Sequence, residues 1–220
     1  MNIVIIASTN GSVISKLLPI SFFKEKINLV ISDRPCGAID LAKENNIKTK
    51  ILPSETGLEF SNRIIKSVDL QKTDLFISFY TKLFGGPFLD LTEYKLINLH
   101  PSILPACPGL NGFEDTIKSK SKFFGSTIHF VNQHMDAGAP IIQSALPYNP
   151  NKSMLANRHE VFIDQCKTLL QVIKWFTDNR IVITETGVEI KNAKYFESRY
   201  SPNLDFDEAI NFSCALTEKE

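Results

Sequence analysis

Short apolar runs rich in β-branched residues alternate along this chain with longer stretches in which apolar residues return at helical spacing. The runs at Asn2–Ala7, Ile27–Ser32, Lys48–Leu52, Asp74–Phe79 and Lys95–His100 read as strands. Between them, Val13–Phe23, Gly37–Asn45 and Glu55–Val68 read as helices, with Ser12 the expected N-cap of the first. Strand and helix in alternation predict an α/β fold, a doubly wound and mostly parallel sheet with crossover helices. Further on, Asn111–Lys120 is a predicted helix, and the predicted strands Ser126–Val131 and Pro140–Leu146 flank a loop. Ser153–Asp178 then carries Leu155, Val161, Leu169, Val172 and Phe176 at the spacing of one long helix. After it come two short β-like pieces, Ile181–Thr184 and Val188–Lys191, and a polar tail expected to be partly disordered or packed on the surface. The pattern divides the chain into an α/β domain with one core over 1–180 and an extension over 181–220.

Composition narrows the function classes. With 43% hydrophobic and 22% charged residues, the 220-residue chain has the make-up of a soluble globular protein. Its 24 basic and 24 acidic residues cancel, which leaves no electrostatic reason to expect nucleic acid or a membrane surface as partner. The longest apolar runs, such as Ile3–Ala7, are strand-sized, and no basic stretch leads into an apolar one at the N-terminus, so a cytoplasmic protein is expected. Cys36, Cys107, Cys166 and Cys214 are scattered without a CxxC, so neither a metal site nor a disulfide framework is indicated. His129 alternates with apolar neighbours as a structural residue does, His159 reads as lying on an exposed helix face, and His134 as a loop surface position. Asp205, Asp207 and Glu208 read as a solvated charge run.

The chemistry is concentrated where a predicted strand stops at Pro101. In Lys95–His100 the two-residue period puts Asn98 and His100 on one face. Asp136, in the loop His134-Met135-Asp136-Ala137-Gly138, is a carboxylate able to pair with the imidazole, fix its tautomer and leave the Asn98 amide to donate to an oxyanion. Such a set suits acyl or formyl transfer, and the lack of a serine or cysteine in a nucleophile elbow favours direct attack by the acceptor. Taken alone, an Asn-x-His at a strand end more often serves to satisfy buried backbone groups.

The surrounding text is more specific. Leu96-Ile97-Asn98-Leu99-His100-Pro101-Ser102-Ile103-Leu104-Pro105, Pro108-Gly109-Leu110, Gly125-Ser126-Thr127-Ile128-His129-Phe130-Val131 and Met135-Asp136-Ala137-Gly138 with Ile141-Ile142-Gln143, in that order, resemble the folate-dependent formyltransferases. The single-domain glycinamide ribonucleotide formyltransferases are the group they resemble most. The resemblance runs from Asn2 to about Ile181. It implies a Rossmann-like fold, catalytic roles for Asn98, His100 and Asp136, and transfer of a formyl group from 10-formyltetrahydrofolate, with no metal, to a primary amine. Asn98 and His100 would stabilise the tetrahedral oxyanion, and Asp136 would pair with His100 and move the amine proton.

By the same resemblance, Lys82, Leu83 and Phe84, with Val131, Asn132 and Met135, would line the folate pocket. Asn10, Gly11 and Ser12 would hold a phosphate of the acceptor, and Gln165 falls where the family has a ribose-binding Glu. Without the resemblance, Leu83, Phe84 and Val131 read as core residues and Gly11-Ser12 as a helix cap. Three positions depart from the family: Val13 for an Asn, Thr81-Lys82 for Met-Arg and Gln165-Cys166 for Glu-His. The expected partner is a phosphorylated small-molecule amine, first glycinamide ribonucleotide, with the protein a monomer or homodimer. An amino-sugar nucleotide acceptor and hydrolysis of formyltetrahydrofolate are the alternatives. The neutral charge and the lack of a second domain speak against a transfer-RNA substrate.

Overall fold

The computed structural model describes residues 1–216, which form two compact units: residues 1–98 with 130–135, and residues 99–129 with 136 onward. In the first unit the chain runs β1 (Ile3–Ala7), α1 (Ser12–Leu17), α2 (Ser21–Lys24), β2 (Ile27–Ser32), α3 (Gly37–Glu44), β3 (Thr49–Ile51), α4 (Gly57–Ser67), β4 (Leu75–Phe79), α5 (Pro87–Leu91) and the start of β5 (Leu96–His100), whose last two residues belong to the second unit. The strands lie in the order β3-β2-β1-β4-β5, all parallel. Every residue of β1 is buried, as parallel strands covered on both faces require. The strand order reverses between β1 and β4, and in such sheets the crevice beyond the strand C-termini at that point receives ligands.

One face of this sheet packs Val4, Ile6, Leu29, Ile31, Phe76 and Leu96 against Phe60 and Ile64 of α4 and Phe88 of α5. Burying each such side chain stabilises the fold by about 1.5–3 kcal/mol. α4 is fixed at its start by Thr56, whose hydroxyl accepts from the Glu59 N–H at 3.2 Å. The helix expected over Val13–Phe23 is two short ones: Pro19 and Ile20 separate them, because proline breaks the backbone hydrogen-bond ladder. Ser12 is not its cap. Gly11 takes that position in the left-handed region (φ 73°), and Ser12 is already helical.

The second unit continues through α6 (Gly112–Lys118), β6 (Phe123–Phe130), β7 (Pro140–Pro147), α7 (Met154–Thr177), β8 (Ile181–Thr184), β9 (Gly187–Ile190), β10 (Tyr200–Ser201) and α8 (Asp207–Asn211). Here pairing is antiparallel, in the order β6-β7-β10, with β8 and β9 a separate hairpin. Polar side chains of α7 hold the described part of the tail. Asp164, fully buried, accepts from Arg199 (2.8 Å) and the Tyr200 hydroxyl (2.7 Å). Gln171 and Trp175 donate to Asp205, which also pairs with Arg180 at 2.7 Å. Asp205 is therefore not part of a solvated run. His159 is likewise buried, its Nε2 bonded to the Cys214 carbonyl at 3.0 Å, rather than on an exposed face. These partners lie 30 to 55 residues from α7 in sequence, too far for any local pattern to reveal. Residues 217–220 of the tail lie outside the described residues. Among the described residues no helix is long and apolar enough to cross a membrane.

Candidate active site

β5 ends at His100 because Pro101 has no N–H to continue the ladder. Asn98 pairs in register with Ser78 of β4 and is half-buried, while His100 is 3% exposed. Beyond the strand, the chain folds back so that the Cys107 carbonyl lies 2.8 Å from His100 Nε2. A carbonyl only accepts, so Nε2 carries a proton. The other ring nitrogen, Nδ1, faces Asp136 Oδ2 at 3.3 Å. In this geometry the Nε2–H is given to the main chain and does not point at a third acceptor. Asn98 lies two residues earlier on β5.

Asp136 is the centre of the arrangement. Oδ2 accepts the Gly109 N–H at 2.7 Å, and Oδ1 lies 3.6 Å from His129 Nε2. Burial pushes this carboxyl up. The approach of His129, the Gly109 N–H and the positive charge that His100 and His129 can carry outweigh burial and hold it below its ordinary 3.8. Asp136 itself sits at φ 52°, a left-handed conformation that costs a non-glycine residue about 1–2 kcal/mol and is kept where surrounding bonds demand it. Gly109, at φ 98°, turns its N–H toward the carboxylate in a conformation open to glycine.

The loop after β5 is tied down by its own network. Ser102 Oγ donates to the Ala106 carbonyl (2.6 Å) and the Cys107 carbonyl (3.2 Å). Thr127 Oγ1 donates to the Ser102 carbonyl at 2.8 Å and accepts from Leu104 N and Gln143 Nε2 at 3.0 Å. Ser102 and Gly109 stand in the motifs of the resemblance, but the sequence assigns no role to them or to Cys107, and it marks His129 as structural only. The Pro108-Gly109 turn and the buried-face alternation of His129 were visible signals, but neither names Asp136 as the partner.

The remaining expected site residues divide by unit. In the first, Phe84 is 9% exposed and lies tilted between the rings of Tyr80 and Phe88, and Val131 packs on the same apolar cluster. Leu83 and Met135 are about half exposed, and the Asn132 carbonyl oxygen of the side chain accepts from His134 N, which sits at the surface. Lys82 donates to Asp33 (3.2 Å) and to the Glu55 carbonyl (2.9 Å). Thr81 is exposed and its hydroxyl meets Ser8 Oγ at 3.1 Å, bridging the ends of β1 and β4. In the Asn10-Gly11-Ser12 segment, a Cβ added at Gly11 would come within 3.1 Å of Ala38, and the following Val13 turns into the core at 9% exposure. In the second unit, Gln165 is half-buried on α7, beside the fully buried Asp164.

Known proteins resemble the chain over most of its length. A phosphoribosylglycinamide formyltransferase of Haemophilus influenzae is 29% identical over 127 residues, 58% of this chain and 57% of that protein. The match thus spans just over half the length of that relative. The phosphoribosylglycinamide formyltransferase of Escherichia coli is 24% identical over 195 residues, 85% of this chain and 92% of that one. The crystal structure of glycinamide ribonucleotide transformylase 1 from Symbiobacterium toebii superposes with a TM-score of 0.78 at 25% identity, covering 87% of this chain and 94% of its own. That likeness agrees with a mixed α/β, mostly parallel architecture. The sequence pattern described as formyl transferase matches residues 1–173, and the chain belongs to the formyl transferase family.

Proposed function

We propose that the protein transfers the formyl group of 10-formyltetrahydrofolate to the primary amine of glycinamide ribonucleotide, a step of purine biosynthesis, in the cytoplasm. The observation that carries this reading is Asp136, held below its ordinary pKa between two imidazoles and the Gly109 N–H, in a family whose members move formyl groups. The acceptor is the one for which the Haemophilus influenzae, Escherichia coli and Symbiobacterium toebii relatives are named.

In this reading the acceptor amine attacks the formyl carbon, a C–N bond forms, and the carbonyl oxygen takes up the electron pair. The Asn98 amide donates to that oxygen. Asp136, with His100 beside it, receives the proton the amine sheds and returns it to N10 of the folate as the bond from N10 to the formyl carbon breaks. Ionised Asp136 is the competent form, which its lowered pKa secures at neutral pH. The folate is read against Lys82, Leu83, Phe84, Val131, Asn132 and Met135, and the acceptor phosphate against the main chain of Asn10, Gly11 and Ser12, with Gln165 toward the ribose. Thr81, Val13 and Gln165 are the positions where acceptor choice is decided. No metal takes part in the proposed step.

The test is release of tetrahydrofolate from 10-formyltetrahydrofolate by the full chain, with and without glycinamide ribonucleotide. Release that requires the amine supports the reading. Equal release without any amine makes the protein a hydrolase, and no release with any amine overturns formyl transfer.

A further inference from the structure

On the reading that His100 belongs to the transfer machinery, we propose that Gly112 is a positioning residue: by lacking a Cβ it makes the room in which the His100 imidazole meets both the Cys107 carbonyl and Asp136. A Cβ built at Gly112 would lie 2.5 Å from His100 Nε2, 2.8 Å from its Cε1 and 3.2 Å from the Cys107 oxygen. Non-bonded carbon contacts settle near 3.5–4.0 Å, so the ring and a methyl group cannot both occupy this space.

Neither neighbour has an easy retreat. The imidazole is rigid, 3% exposed, and held at both nitrogens, so turning away forfeits the Cys107 bond or the Asp136 contact. The Cys107 carbonyl is held by Ser102 Oγ as well as by the ring, and Ser102 is fixed in turn through Thr127 and Gln143. Gly112 itself does not need glycine's conformational freedom. It is the first residue of α6, its φ lies outside the left-handed region, and its carbonyl accepts from the Thr116 hydroxyl at 2.7 Å. Alanine is favoured over glycine in helices by about 1 kcal/mol, so what favours glycine here is the space. A methyl at this position therefore tests the ring's placement with the helix left intact.

The experiment combines kinetics with imidazole nitrogen resonances of the full-length protein, whose four histidines give a sparse spectrum. His100 is assigned by the signal lost in His100→Ala. In the native protein the His100 Nε2 is expected to be protonated and its proton protected from exchange. In Gly112→Ala that protection is expected to be lost, and kcat for formyl transfer to fall about 10- to 100-fold while KM for both substrates stays within about twofold. A folded Gly112→Ala protein with unchanged His100 resonances and unchanged kcat overturns the proposal. If Gly112→Ala does not fold, the native spectrum decides: a His100 Nε2 without a proton, or one that exchanges freely, overturns it. The His100→Ala protein separates the two ideas, since full activity there removes His100 from the machinery whatever the nitrogen spectrum shows of Gly112.

Discussion

Two carboxylates, one buried and one half-buried, one in each unit, differ in what holds them. Asp33, just past β2, is gripped by Arg34 Nε at 2.9 Å and Lys82 Nζ at 3.2 Å. Asp136 faces two imidazoles and one main-chain N–H. Guanidinium and ammonium groups keep their protons at neutral pH, so the Asp33 cluster is a fixed arrangement of charge. Imidazoles exchange protons in that range, so the Asp136 cluster is equipped to pass one on. Burial and a lone carboxyl therefore do not mark a catalytic site. In the proposed function, what sets Asp136 apart is that its partners are imidazoles.

The comparison breaks first if Asp136 can be neutralised without cost. Asp136→Asn is expected to lower formyl-transfer turnover by about 10³-fold with the fold intact by circular dichroism, because the amide keeps the shape and cannot take the proton. Turnover within tenfold of the native protein would remove Asp136 from proton transfer. Next is a purely structural carboxylate, Asp164. Arg199→Ala leaves it fully buried against Tyr200 alone, and unfolding should show a loss of about 2–3 kcal/mol, since Arg199 itself is 44% exposed and its pairing is partly screened. Turnover below the new melting temperature should be unchanged.

Asp33→Asn sharpens the contrast from the other side. It leaves two half-exposed cations facing each other across an amide, and urea unfolding should register a loss of about 1–2 kcal/mol. Its kcat is expected to fall far less than that of Asp136→Asn, and a comparable fall would erase the distinction. The smallest effect expected is on acid stability. Asp205 is held below its ordinary 3.8 because Arg180, Trp175 and Gln171 outweigh the upward push of burial. A carboxyl depressed in the folded state stabilises above the unfolded value and loses that stabilisation as pH falls through the folded one. Melting temperatures taken from pH 6 down to pH 3 should therefore drop less in Asp205→Asn than in the native protein, with the two curves converging at the acid end.

Much of this was legible in the sequence because its causes are local. Runs such as Ile3–Ala7 are apolar throughout since both faces of β1 are covered, and the pattern alone located the five parallel strands. Asn98, His100 and Asp136 stood out through strand period and the text around them. What stayed hidden depends on distant partners. The polar tail looked unplaceable because the groups that hold it, Asp164, Gln171 and Trp175, look like polar and aromatic positions of an ordinary helix. Gly112 and the Cys107 carbonyl carry no side-chain signal, and their bearing on His100 exists only in three dimensions. Pro19 marks the break between α1 and α2, but the apolar spacing that continues beyond it predicts a single helix.

The acceptor tests the account most directly. Limiting 10-formyltetrahydrofolate is offered to the full chain with equal concentrations of glycinamide ribonucleotide and an amino-sugar nucleotide, and the products are identified by mass spectrometry. Formylglycinamide ribonucleotide as the dominant product is the expected result. A formylated sugar nucleotide, or formate with neither amine modified, contradicts it.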